Sequence, residues 1–334
     1  MIRLSARFAG VFALAVFSLS FHGASAQQNV PAAPDQTQAG AAPTAPAPAG
    51  PPTFPKPSPE NFNAASPTKE TIDAFLQASW GYDESRMWQV QAILKTPVEG
   101  LSKVVILVGD KTGKQKPSAI QFFALADGKH IIAGEEVLPF GDHPYTESRA
   151  VLQQRADGPF RGSALKDLEL VEFADFQCPH CKDAQANMEK LAVDFPKARI
   201  VFENYPLTRV HPSAEKAADY GVCVAKAGGS DAFFQFASAV FDGQDGLATA
   251  DGATLTLNSA VTKAGQDPAK IAACAATPQT AASVQASVKL AQDLNIEQTP
   301  TLVVNGRQVP IGGVPYETIK QLVLYQEKLD GITK

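Results

Sequence analysis

The chain has 334 residues, four cysteines and a net charge of −5. It is mildly acidic and has no basic cluster, which excludes a nucleic-acid partner. It also lacks an internal repeat, a phosphate-binding Walker loop and a Gly-x-Ser-x-Gly elbow, so repeat scaffolds, P-loop enzymes and elbow-type hydrolases drop out with it.

In chain order, Arg3 and Arg7 precede an apolar stretch from Phe8 to Phe21, and Ala24-Ser25-Ala26 follows. Residues 1–26 therefore read as a cleaved secretory leader. The apolar stretch is too short for a comfortable membrane span, so a retained anchor is the weaker alternative. No cysteine follows directly, and nothing suggests a lipid anchor. The expected location is the periplasm, where disulfides persist, and all four cysteines lie beyond the leader. Residues 27–67 change to Ala, Pro, Gln and Ser with almost no large apolar side chain, as expected of a disordered tether with extended character.

A first folded unit is expected over 68–141. Ser66-Pro67-Thr68-Lys69-Glu70 is a helix start, with Ile72, Phe75, Leu76 and Trp80 on one face. Val104 to Val108, Ile120 to Leu125 and His130 to Ala133 read as strands, the last two joined through Ala126-Asp127-Gly128-Lys129. One helix on a small antiparallel sheet follows, a compact α+β unit. Pro97-Val98-Glu99-Gly100-Leu101 and Asp127-Gly128-Lys129-His130-Ile131-Ile132-Ala133-Gly134 resemble the cystatin-like N-terminal dimerisation domain of the DsbC and DsbG isomerases. That resemblance implies a homodimer with two sites facing a cleft; a monomeric spacer of the same fold is the alternative. His130 reads as a strand-surface histidine.

Residues 142–159 form a connector, with a short helix from about His143 to Arg155 ended by Ala156-Asp157-Gly158-Pro159. The last unit, 160–334, carries the chemistry. Leu168, Leu170, Val171, Phe173, Ala174 and Phe176 make a near-continuous apolar strand, covered on both faces. It runs into Gln177-Cys178-Pro179-His180-Cys181, and Cys181, Ala184, Met188, Leu191, Ala192 and Phe195 then recur at helical spacing. Cys-x-x-Cys at a strand-to-helix junction is the form of a thioredoxin-like redox site. Cys178 at the helix start meets unpaired N–H groups that favour its thiolate, and a protonated His180 adds positive charge, so its pKa should fall well below the free value. Glu172 either faces solvent at a strand end or is buried with a raised pKa, able to move protons for Cys181.

Val-Glu-Phe-Ala-Asp-Phe-Gln-Cys-Pro-His-Cys resembles the active-site region of the DsbA-like periplasmic thiol oxidoreductases. That family has an acidic residue at the place of Glu172, and Pro179-His180 is the dipeptide of its oxidases. The resemblance implies Cys178 as the attacking and Cys181 as the resolving cysteine. It also implies a cis-proline facing the sulfurs, which Thr299-Pro300 before Thr301-Leu302-Val303-Val304 fits, and substrate contacts from Thr299 and Pro300.

Arg199 to Tyr205 reads as the next strand, and 207–295 as an Ala-rich helical insertion: 214–227, 232–241, 257–264, 268–275 and 280–294. Asn305-Gly306 turns a hairpin into 308–311, and Tyr316 to Leu329 makes the last helix. The fold class is α/β, thioredoxin-like with a helical insertion, behind the α+β unit. Cys223 and Cys274 either pair as a structural disulfide or stay as two buried thiols. His211, before Pro212, reads as a helix-entry residue.

The expected activity is an exported thiol:disulfide oxidoreductase, an oxidase, with an isomerase or reductase as the alternative. Its substrates would be cysteine-containing exported proteins, recharged by a membrane or periplasmic redox partner, with no cofactor beyond the Cys178–Cys181 disulfide. A zinc or redox-inactive binding module is the remote reading. Zinc needs four ligands, and here the other cysteines stand alone.

Overall fold

The computed structural model describes residues 53–113 and 116–332; the expected leader and most of the expected tether lie outside them. The chain divides into two compact units, one of residues up to 73 with 84–138, the other of 74–83 with 139 onward, so the boundary falls inside α1 (Lys69–Trp80).

In the first unit, β1 (Arg86–Lys95), β2 (Leu101–Asp110), β3 (Ser118–Leu125), β4 (His130–Ala133) and β5 (Glu136–Pro139) form one five-stranded sheet in chain order. Strand β1 is absent from the sequence reading, and a bulge explains why. Val90 faces Ile106 and Ile93 faces Val104, while Gln91 between them has no residue opposite it in β2, so these two inward residues of β1 lie three apart instead of two. The end of the expected tether also needs correcting. Asn63 and Ala64 donate backbone N–H groups to Ile93 O at 3.1 Å, and Ser102 Oγ donates to Ser66 O at 2.6 Å. Residues 63–66 are thus held along the sheet by the Ile93 carbonyl of edge strand β1 and by the Ser102 side chain, which composition does not reveal.

In the second unit, α2 (Thr146–Arg155) leads to a sheet of β6 (Phe160–Gly162), β7 (Glu169–Ala174), β8 (Arg199–Asn204), β9 (Thr301–Val304) and β10 (Arg307–Pro310). The strand order is β10-β9-β7-β8-β6, with β7 and β8 parallel and β9 antiparallel to β7. Every residue of β7 and β8 is buried, as their apolar runs require. Leu170, Ile200 and Leu302 pack with Met188 and Leu191 of α3 (Pro179–Asp194) and Ile319 and Val323 of α8 (Tyr316–Leu329). Val171, Phe173 and Val303 pack with Leu152 of α2 and Leu290 of α7 (Pro278–Asp293).

The insertion is α4 (Ala214–Asp242), α5 (Ala250–Lys263), α6 (Pro268–Ala275) and α7. Gly229, at φ +74° and ψ −169°, breaks α4 into two helices, as the sequence pattern requires. Phe176 anchors the insertion to β7: its ring lies 5.2 Å from Phe202, 5.7 Å from Phe236 and 5.3 Å from Phe241. Gly221 leaves room for it, since a Cβ there would come within 3.3 Å of the Phe176 ring. Cys223 of α4 and Cys274 of α6 are joined by a disulfide, their Cα atoms 5.9 Å apart.

Candidate functional site

Because β7 and β8 are parallel and β9 runs against them, the end of β7, the end of β8 and the start of β9 share one rim of the sheet. Cys178 sits on that rim as the N-cap of α3, with Pro179 in the first turn, where a missing N–H costs nothing. Both cysteines are buried thiols, Cys178 5% and Cys181 0% exposed. Across from them the Thr299–Pro300 peptide is cis. The Cys178 thiol donates to Thr299 O at 3.7 Å. Thr299 Oγ1 is buried without a hydrogen-bond partner, a hydroxyl free to turn toward the sulfur.

The two sulfurs are pushed in opposite directions. Hydrogen bonding from the Cys181 side chain is the main cause holding Cys178 down at about 5; the Thr299 side chain and the backbone N–H groups of Cys181 and His180 add to it, against the cost of burial. Cys181 is raised far above the ordinary thiol range, first by burial, then by its bond to Cys178 and the charges of Cys178 and Glu172. The His180 side chain is exposed, and its backbone N–H is among the groups that hold Cys178 down.

Glu172 lies 3% exposed inside β7. Burial raises its pKa to about 7, against a 2.9 Å hydrogen bond from Gln185 Nε2 and the charge of Arg161. Gln185, one turn beyond Cys181, also donates to Cys181 O at 3.1 Å. A folded value near 7 against 4.5 unfolded means the neutral carboxyl suits the fold: its contribution is complete below pH 4.5 and is lost as pH rises to about 7. Glu172→Gln should therefore stabilise the protein at pH 8 by about 3 kcal/mol more than it does at pH 4. Urea unfolding at both pH values checks this, and an equal effect at both would contradict it.

Several residues at the site carry no sequence signal of their own. Asp175, 1% exposed, donates its backbone N–H to Cys181 Sγ at 3.4 Å. Its Oδ1 accepts from Gln177 N at 2.7 Å, and its Oδ2 from Leu207 N at 2.8 Å and pairs with His211 Nδ1 at 2.8 Å. His211 thus stands at the entry to α4, as the sequence suggests, and is also tied to the redox turn. Gly312, read only as a breaker, lies against both His180 and Pro300: a Cβ there would be 3.6 Å from His180 Cβ and 3.7 Å from Pro300 Cδ. Cys223 and Cys274 belong to the insertion and not to this rim. Among the described residues, no group of three or more His, Cys, Asp or Glu side chains could hold a metal ion, and no helix is long and apolar enough to cross a membrane.

Comparison with known proteins places this geometry. A Na(+)/H(+) antiporter NhaA 3 of Salinispora tropica is 32% identical over 148 residues, 44% of this chain, and the chain spans only 22% of that relative's length. A thioredoxin-like oxidoreductase structure from Silicibacter pomeroyi matches with 24% identity and a TM-score of 0.46, over 54% of this chain and 98% of that one. The thiol-disulfide exchange protein alpha-DsbA2 of Wolbachia pipientis matches with 19% identity and a TM-score of 0.46, over 56% of this chain and 96% of that one. A family model described as thioredoxin matches residues 155–323, half of the chain, which takes in the rim from Cys178 to Pro300. With its Cys-x-x-Cys at a strand-to-helix junction opposite a cis-proline, this chain belongs to the thioredoxin family.

Proposed function

We propose that this protein is an exported thiol:disulfide oxidoreductase that works through Cys178 and Cys181. The observation that carries the reading is the geometry of the pair: two buried thiols at the start of α3, opposite the cis Thr299–Pro300 peptide, an arrangement that favours ionisation of Cys178 and keeps Cys181 in the thiol form. In the oxidised form, a substrate thiolate attacks Cys178 Sγ, the Cys178–Cys181 bond breaks, and Cys181 leaves and takes a proton. Glu172, titrating near neutrality, supplies that proton. A second substrate thiolate then attacks the substrate sulfur of the mixed disulfide and expels Cys178 as a stable thiolate. Two electrons pass to the pair and the substrate gains a disulfide.

A well-stabilised leaving thiolate makes the disulfide a strong oxidant, which supports the oxidase direction. The pair needs no other cofactor, but it needs a redox partner to reoxidise it. The leader pattern and the Cys223–Cys274 disulfide support export to the periplasm, with cysteine-containing exported proteins as substrates. The five-stranded sheet unit supports a second reading, a dimeric isomerase or reductase.

Equilibration with glutathione tests the direction. A potential near −120 mV is expected of an oxidase, and one near −270 mV would favour a reductase. Recovery of a scrambled substrate by a species of twice the chain mass would favour the isomerase.

A further inference from the structure

The redox turn is held from outside by a short 3-10 segment of the insertion, Gln244–Ala248. Gln244 is 8% exposed, and its side-chain nitrogen donates to Phe176 O at 2.8 Å and to Cys178 O at 2.9 Å. An amide nitrogen has two hydrogens, and these two carbonyls take both. The contact is reciprocated: Gln177, between the two carbonyls, accepts from Ser213 N at 2.7 Å and donates to Leu247 O at 3.1 Å.

We propose that Gln244 is a positioning residue for the redox turn, and that by fixing the peptide planes on both sides of Gln177 and Cys178 it sets where the attacking sulfur lies. A carbonyl oxygen reports the orientation of its whole peptide plane. Holding the oxygens of 176 and 178 therefore narrows the range of the intervening torsions of Gln177 and Cys178. Cys178 O also accepts from Cys181 N at 3.1 Å and Lys182 N at 3.3 Å, so the same oxygen joins the first turn of α3 to the insertion. The sulfur is then kept where the N–H groups of His180 and Cys181 and the Thr299 side chain can reach it. Without Gln244 the Phe176 carbonyl would lose its side-chain donor and Cys178 O would keep only the N–H groups of α3, so the turn would no longer be tied to the insertion and would shift to find another donor.

The inference rests on the oxidoreductase reading, but its test does not need a protein substrate. Gln244→Met keeps the shape and removes both donors. It leaves in place Glu172, Asp175 with His211, and His180, the ionisable groups around the pair. The Cys178 thiolate is followed by its absorbance near 240 nm during a pH titration of the reduced protein, and the potential by equilibration with glutathione. The expected result for Q244M is a titration midpoint about one pH unit higher and a tenfold fall in the constant for oxidising glutathione. Gln244→Asn, which keeps the donors at shorter reach, should lie between Q244M and the natural protein, and it carries the test if Q244M does not fold. A folded variant with lower thermal stability but a midpoint and potential within twofold of the natural values would overturn the proposal. Failure of the natural protein to oxidise protein thiols would instead sink the functional reading and leave the titration result standing.

Discussion

Replacing Cys178 by serine should reduce disulfide exchange to the buffer background, whereas replacing Cys181 by serine should leave the attack intact and let mixed disulfides accumulate. A thiol titrating at about 5 is roughly 99% ionised at pH 7, against a few per cent for an ordinary cysteine near 8.5. Cys181, fully buried and held in the thiol form, supplies almost no nucleophile at the same pH. Alkylation of the reduced protein by iodoacetamide at pH 6 checks the assignment without a substrate. Cys178 should be modified and Cys181 spared until the protein is unfolded. Equal labelling of the two, or exchange activity surviving in C178S, would remove the basis for naming Cys178 as the attacking group. The same asymmetry has a thermodynamic side. A thiol whose folded pKa is lowered stabilises the reduced fold fully above its unfolded value near 9, and that support is lost as pH falls through about 5. The reduced form should therefore lose stability relative to the oxidised form on acidification from pH 9 to pH 5, visible as a fall of the reduced protein's urea midpoint relative to that of the oxidised protein.

Cutting the Cys223–Cys274 link by a double alanine substitution should cost about 4 kcal/mol, because it releases a loop with a sequence separation of 51 in the unfolded chain. The native side of the balance points the same way. Cys223 is 1% exposed and lies in the cluster that holds Phe176, Phe233 and Phe236. The Thr280 hydroxyl near the start of α7 donates to Cys274 O at 2.9 Å, so α6 and α7 are held at the link. Because Phe233, Phe236 and Gln244 reach Phe176 and the redox turn from this same insertion, the loss should appear first as faster hydrogen exchange in 214–293. Urea midpoints of the natural and double-alanine proteins, both with the Cys178–Cys181 pair oxidised, give the number. A difference below about 1 kcal/mol would show that the crosslink contributes little beyond what packing already provides.

What could be read from the sequence was what is local in the chain. The Cys-Pro-His-Cys turn, the apolar β7 and the amphipathic α3 lie in one continuous stretch, and each follows from its own spacing. The insertion helices were legible because alanine-rich apolar faces repeat at helical period, although α5 begins seven residues earlier than expected, where Thr249 accepts from Gly252 N as its cap. The bulged β1 and the three-residue β6 offer no clean alternation to read. Glu172 was legible as an anomaly in an apolar run, but only the packed sheet shows it to be buried rather than at a solvent-facing strand end. Gln244 was invisible, since its partners lie 66 and 68 residues away and only the packed insertion brings them together.

The chain carries two kinds of sulfur pair, one that the insertion keeps closed and one on the sheet rim that must open and shut. A newly made copy therefore starts with four thiols that could cross-join wrongly. Once the fold has formed, burial and a high proton affinity take Cys181 out of that competition at neutral pH, so its sulfur is kept out of later errant crosslinks. The fully formed enzyme would owe its own maturation to an oxidant outside itself, or to an older copy of the same chain.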